Sequence, residues 1–411
     1  MSLPRDAALD STRAFLKEGY RFIGNRCHRF GSDIFEARLM GRRVHCMTGE
    51  AAARLFYGSG NFTRQGAMPL PVLTLLQDRG SVNQLDGDPH VARKAMFIGL
   101  LGPGGVSGLA DAFEAEWRAA VGRWTGREEL ELHGEAALVL CRAVCAWAGL
   151  PLSEVEAERR ARELAAMIDA AGSPGIRNVR AHALRWRTER WARRWIDRLR
   201  DSGAEGTPAA AIAAHCDPDG RLLSRRTAAV ELINLLRPTV AIARFITFAA
   251  HALHAHPDWI ARLRDGTARE AEMFVQEVRR FYPFFPVVGG RAKQDFQWHG
   301  HHFPSGSWFL LDLYGTNRDP RLWIHAGSFR PERFLGWRSS GYDLIPQGAG
   351  DPARDHRCPG EAATMELMVR AVRMLAGNMT YDVPPQDLSI DLDRLPAIPR
   401  SRFVIRNVEL A

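Results

Sequence analysis

The stretch that most limits how this chain can fold is residues 226–254, RTAAVELINLLRPTVAIARFITFAAHALH, the longest apolar-rich run at helical spacing in the sequence. It is apolar around most of its circumference, which predicts a central helix wrapped by other elements. Charges at Glu231, Arg237 and Arg244 rule out a membrane span. In the middle stands Arg237, followed at once by Pro238. The proline lacks an amide hydrogen and presses on the carbonyl of Asn234, so a kink or local opening is expected there. A guanidinium in that setting costs several kcal/mol unless an anion meets it. Glu231 is six residues away and off that face. The counter-charge is therefore expected from another segment, as an internal Asp or Glu, or from a ligand.

The whole chain has 411 residues, 46% of them hydrophobic, enough for one large core or for two or three ordinary ones. Its net charge of +8 comes from 55 basic against 47 acidic residues, a mild surplus that gives no nucleic-acid signature. Six cysteines scattered at positions 27, 46, 141, 145, 216 and 358 form no disulfide framework, which points to a reducing compartment and a cytoplasmic protein. The first twenty residues lack the apolar core of a signal peptide, and no membrane anchor is expected.

Around the central run, residues 10–27 show helical periodicity and residues 34–47 read as a two-stranded unit. A helix capped by Thr48 is expected over 48–56, then a loop over 64–71. The passage 80–89, which contains Asn83, opens a helix whose His90 and Lys94 share a face. Two helices follow over 109–149, broken near Gly126, and another over 152–170. Cys141 and Cys145 lie one turn apart and read as core rather than as a metal pair. Residues 177–200 are dense in arginine, with Trp191, Trp195 and Leu199 at four-residue steps. Nucleic-acid and membrane-surface readings are conceivable, but a buried aromatic stripe beneath a wet basic face is the stronger one. A hairpin at 297–302, a strand over 308–314 and a terminal strand over 403–410 give a smaller β region. His299, His301 and His302 cluster in the hairpin turn, where solvent contact is a simpler fate than metal.

One cysteine stands apart from the other five. In PQGAGDPARDHRCPGE, residues 346–361, Cys358 sits in a glycine- and proline-rich loop that runs into an apolar helix. Helix-end amides and the neighbouring Arg354, His356 and Arg357 would each lower its thiol pKa, marking it as a metal ligand or a nucleophile. No second cysteine lies within ten residues, so a zinc site of close cysteine pairs is disfavoured, and a single axial thiolate on haem iron fits better.

This loop resembles the haem-thiolate loop of the cytochromes P450, with Gly348, His356, Cys358 and Gly360 on the family's glycine, basic, cysteine and glycine positions. Its longer PQGxGD…HRCPGE form is similar to that of the hydrogen-peroxide-using fatty-acid hydroxylases, the peroxygenase branch. Glu277-Val278-Arg279-Arg280 and Phe329-Arg330-Pro331-Glu332-Arg333-Phe334 resemble the Glu-x-x-Arg and Pro-Glu-Arg-Phe elements that lock together beneath the haem. Arg-Pro-Thr-Val-Ala-Ile, from Arg237, stands where oxygen-activating members carry an acid and a threonine.

The resemblance runs from about Arg21 to Leu410. It implies a mainly α cytochrome P450 fold over one domain, 1–411, with a large helical region, a small β-rich region and haem b between them. Cys358 would be the iron ligand, and His90, Lys94, Arg291 and His356 would contact the cofactor. Arg237 would hold a substrate carboxylate over the haem, with Pro238 and Asn83 beside the reacting centre, and Phe284, Phe285, Val287 and Val288 along the acyl chain. The implied reaction is α- or β-hydroxylation of a free fatty acid by hydrogen peroxide, the substrate carboxylate serving as general acid/base and no redox partner protein being required. Decarboxylation to a terminal alkene, a redox-partner-dependent monooxygenase and a haem-based sensor are the alternatives. Asn83 departs from the branch, which usually has glutamine or histidine at that position.

Overall fold

The computed structural model describes residues 2–411. Its organising element is the helix Arg225–Ala255, one residue longer at each end than the apolar run and almost wholly buried. The helices Leu132–Ala148, Ile176–Asp201 and Glu361–Arg373 pack directly on it. Their apolar faces merge with those of Pro103–Trp124 and Ala268–Phe281 into one large core, in which Trp117, Trp124, Phe245 and Phe274 are fully enclosed.

Two of the three buried charges on the central helix are neutralised by ion pairs. Glu231 meets Arg93, and Arg244 meets Asp169. By length and apolarity this helix could cross a bilayer, yet 94% of its most apolar window is buried inside the protein. No break occurs at Pro238. The helix runs on through it, and the ring is exposed on the wall of an internal cavity.

The β region is a five-stranded sheet in the order Ile34–Leu39, Arg42–Met47, Trp308–Asp312, Val287–Ala292, Phe62–Thr63. Only the second and third of these strands run parallel, with His45 opposite Phe309. Val404–Leu410 pairs with Leu130–Glu131 and Met379–Asp382 in a second sheet. The hairpin Phe296–Trp298 with His301–Phe303 turns through His299 and Gly300, both at positive φ, as a tight two-residue turn requires. Separate apolar clusters hold the five-stranded sheet, so the helical and β regions meet as two packed bodies with the cavity near their junction.

Several expected boundaries shift. Thr48 caps nothing: the helix is Glu50–Gly58 with Gly49, at φ 91, as its N-cap. The strand from Trp308 ends at Asp312, whose carboxylate accepts the Gly315 amide at 2.7 Å and starts a short helix, Leu313–Asn317. A helix, Leu70–Leu76, begins inside the expected loop, started by Pro71 in its first turn.

Candidate active site

The cavity at the junction offers about 320 Å³ open to the centre of a water molecule and is lined mainly by apolar side chains. Cys358 lies on its floor, with Gly348, Pro359 and Gly360. The loop is tied down from several sides. The Cys358 amide donates to the Gln347 carbonyl at 2.9 Å, and the Gln347 side chain donates to Thr364 at 3.0 Å. Arg279, fully buried, donates to the Gln347 side-chain oxygen at 3.0 Å and also binds Glu361, which accepts from Arg357 at 2.6 Å. Gly348 is at φ 93, and a Cβ there would come within 3.1 Å of the His356 carbonyl and the Tyr57 hydroxyl. Only glycine suits that position.

Below this loop, Glu277 and Arg280 are fully buried and form a fork at 2.7 Å through both oxygens. Arg333 reaches Glu277 at 3.1 Å, and Arg280 also donates to the carbonyls of Asn317, Ala326 and Ser328. Two arginines thus share one carboxylate, and backbone oxygens take the remaining donors, which is the condition for burying an ion cluster.

Burial pushes the Cys358 thiol pKa up, outweighing the Gly360 amide, Lys94 and Gln347, which act to lower it. The sequence reading of an acidic thiol is corrected on this point. Arg357 faces Glu361 rather than sulfur, and burial holds His356 well below the ordinary imidazole range. Such a thiol is a poor free nucleophile, and a bound cation is what would draw off its proton.

One edge of the cavity is rich in basic groups. The His90 ring lies 4.1 Å from that of His356. Lys94 donates to the Arg357 carbonyl at 2.8 Å and to that of Asp355. Burial lowers His90 to about 4 and Lys94 to about 8. Arg64, not singled out in the sequence, joins them: it is buried, donates to the Gly289 carbonyl at 2.8 Å and stacks over Phe56 and Tyr57. Arg291 does not line the cavity; its guanidinium donates to the carbonyls of Gly66 and Gly306. Arg64 follows Thr63, which pairs with Arg291 across the sheet, and no periodicity in the sequence distinguishes which of the two arginines lines the cavity.

At another part of the wall stand Arg237, Pro238, Asn83, Asn234 and Gln77. Arg237 is buried and donates to the Leu75 carbonyl at 3.1 Å, to that of Leu76, and to the Asn234 side chain at 2.9 Å. Among the described residues no carboxylate pairs with it. Burial, helped by the nearby Arg185, lowers its pKa to about 9. Glu231 is less remote than its spacing suggested: it accepts from Asn234 at 3.0 Å, from Arg93 at 3.1 Å and from the Val82 amide at 2.7 Å. That last bond pins the turn carrying Asn83, whose own side chain has no hydrogen-bond partner among the described residues. Phe284, Phe285, Val287 and Val288 line the apolar remainder.

One inward thiol, glycine rather than a side chain beside it, and basic groups gathered on one edge fit a flat metallocofactor that carries acidic substituents. A family model for cytochrome P450 matches residues 271–394. Solved structures extend the likeness to the full length. Cytochrome P450SP alpha in complex with (R)-ibuprophen is 48% identical, with a TM-score of 0.95 over 98% of this chain and 100% of that one. The chain belongs to the cytochrome P450 family, in its fatty-acid peroxygenase branch.

Wild-type cytochrome P450EX alpha with myristic acid is 39% identical at TM-score 0.96, covering 100% of both chains. A variant of P450 OleT in complex with arachidonic acid is 35% identical at TM-score 0.96, covering 100% of this chain and 99% of that one. Plant P450s match only in part. Carnosic acid synthase of Rosmarinus officinalis is 31% identical over 114 residues, 26% of this chain and 22% of that protein. Flavonoid-6-hydroxylase of Mentha piperita is 31% identical over 130 residues, 29% of this chain and 24% of that protein. As a P450 the protein is a haem-thiolate oxidoreductase.

Proposed function

We propose that the protein is a peroxygenase that hydroxylates free fatty acids at the α or β carbon with hydrogen peroxide, acting in the cytoplasm as one P450 unit over residues 1–411 without a redox partner protein. The observation that carries this reading is Arg237, a buried guanidinium on the cavity wall with no carboxylate from the chain to meet it. A fatty-acid carboxylate is the matching anion, since it accepts the planar fork and brings an acyl chain for the apolar lining. Among the described residues all six cysteines are free, in keeping with a reducing compartment.

Haem b would be held through the Cys358 thiolate, with Arg64, His90, Lys94 and His356 offering basic groups to its carboxylates, and would supply peroxide cleavage and oxidation of a C–H bond. Everything else is positioning. Arg237 fixes the carboxyl end of the substrate, so that the carbons next to it, rather than the far end of the chain, face the reacting centre. Asn83 and Pro238 flank that point, and neither carries a titratable proton. The held carboxylate would then move the proton from one peroxide oxygen to the other, a task for which the central helix offers Arg237-Pro238-Thr239 at the cavity, its one acid, Glu231, lying off the cavity wall and taken up by Arg93, Asn234 and the Val82 amide. Phe284, Phe285, Val287 and Val288 keep water from the acyl chain.

Purified holoprotein given a free fatty acid and hydrogen peroxide, with no reductase, should form hydroxy acid, while the methyl ester of the same acid stays unchanged. Equal turnover of acid and ester would remove Arg237 from its role. Dependence on added reductase would make the protein an ordinary monooxygenase. Mass spectrometry of the products separates α- and β-hydroxylation from decarboxylation.

A further inference from the structure

The helix Ile176–Asp201 has a solvent face that this chemistry does not use. Trp191 and Leu199 turn inward, and Trp195 packs partly on the core, as the sequence suggested. A second apolar set points outward. Ile176 is 85% exposed, Val179 69% and Trp186 58%. With the exposed Ala183 they follow one another at steps of three and four residues, so they form one stripe along the helix and not a scatter. Leu70, 52% exposed, adds to it from Leu70–Leu76, the adjoining helix, whose Thr74 hydroxyl lies 2.7 Å from the His182 ring.

Interleaved with the stripe are the exposed Arg177, Arg180, Arg187, Arg190, Arg194 and Arg198. Among the described residues none of these six forms an ion pair. Of the three acids on the helix, Glu189 pairs with Arg193 and Asp197 with Arg225, and Asp201 stands in the last turn, beyond the apolar stripe. Arg190 lies 4.6 Å over the Trp186 ring, leaving its stem along the apolar stripe. For a chain of net charge +8 this single face holds much of the surplus.

We infer that this face docks on the surface of an anionic lipid bilayer. A purely anionic partner would use the arginines but leave Ile176, Val179 and Trp186 in water. A purely apolar partner would bury those three and strand the guanidinium groups. The headgroup boundary of a bilayer takes apolar side chains just below a layer of phosphates, so one surface satisfies both sets. The geometry also places the docked face beside the cavity. Leu70–Leu76, which packs on the arginine helix, supplies Val72, Leu73 and Leu76 to the cavity wall. A long-chain acid dissolved in the bilayer would then lie next to the wall that receives it.

The test is co-sedimentation of holoprotein with vesicles of phosphatidylcholine alone and of phosphatidylcholine with phosphatidylglycerol, at low and high salt. Binding is expected only to the anionic vesicles, with loss in salt and a blue shift of tryptophan emission that disappears in Trp186→Phe. Each arginine near an anionic surface strengthens partitioning about fivefold. Replacing Arg180, Arg187 and Arg194 together by Gln should therefore weaken it about a hundredfold at low salt. Replacing Ile176 and Val179 by Ser and Trp186 by Ser should weaken it at least about tenfold. All six positions are exposed, so unchanged melting and unchanged turnover of a short, water-soluble fatty acid should confirm intact variants. No binding to anionic vesicles, equal binding to neutral ones, or an apolar variant that binds like the parent would overturn the inference. Duplex DNA binding tighter than vesicle binding and indifferent to the apolar substitutions would overturn it in favour of a nucleic-acid partner.

Discussion

Arg237 shows how far one side chain can be read and where such reading stops. Its oddity was plain in the sequence, because a charge beside a proline in an apolar helix demands an explanation. Its isolation from acids was not, since an internal partner could have come from any distant segment. The structure leaves the guanidinium with carbonyl oxygens and one amide, and burial brings its pKa down to about 9. The sign of the consequence is fixed: a bound carboxylate favours the protonated guanidinium, so affinity is full below about 9 and falls as pH rises through that value. The apparent KM for a fatty acid should rise above about pH 9 while KM for peroxide stays level, as steady-state kinetics across that range would show. Arg237→Ala, which removes one partner of a buried charge pair, should lower kcat/KM by about thirtyfold to several thousandfold, from a cost of about 2–5 kcal/mol. Arg237→Lys keeps the charge without the fork and should fall between. Arg64 illustrates the opposite case. Nothing in its local pattern separates it from Arg291, and only the pairing of Phe62–Thr63 with Val287–Ala292 decides which arginine faces inward.

At the level of elements, helices with a strong apolar period were legible to within a residue or two, as Arg225–Ala255 and Ile176–Asp201 show. Termini governed by a single cap were not. Gly49 displaced Thr48 because the backbone there needs a positive φ, and Asp312 ended a strand that periodicity alone would have continued. The ties between elements were also hidden. Glu231 joins the central helix to the Val82–Gln84 turn through the Val82 amide and to Arg237 through Asn234. Glu231→Gln should leave Arg93 with Asp217 alone on its charged side and loosen both the Asn83 turn and the Arg237 fork. Loss of a buried pair of this kind costs about 3–5 kcal/mol of stability. Denaturant unfolding would measure that loss. A fatty-acid KM that rises by more than the peroxide KM would distinguish the positioning effect from general weakening; equal changes in both would count against it.

Across the whole molecule, the two packed bodies meet around a cavity that neither closes alone. The cysteine loop and the basic edge belong to different stretches of chain, and a ligand that binds both stabilises only the assembled form. Removing haem should therefore lower the melting temperature substantially, since occupancy at a thousand times Kd contributes about 4 kcal/mol. Calorimetry of holoprotein against haem-stripped protein, with recovery on adding haem back, is the check. The fold class and the floor of the site were legible because motifs spaced along the chain had to converge on one sulfur. The arrangement of the basic edge was not, because it depends on strand register.

The unanswered charge at Arg237 gives an experimenter a dial that needs no chromatography. Every occupant that brings an anion to that spot relieves a tension built into the resting protein, so heat tolerance becomes a gauge of fit. Scanning acids of increasing length and watching where the melting curve shifts furthest would point to the natural lipid before a single product is made.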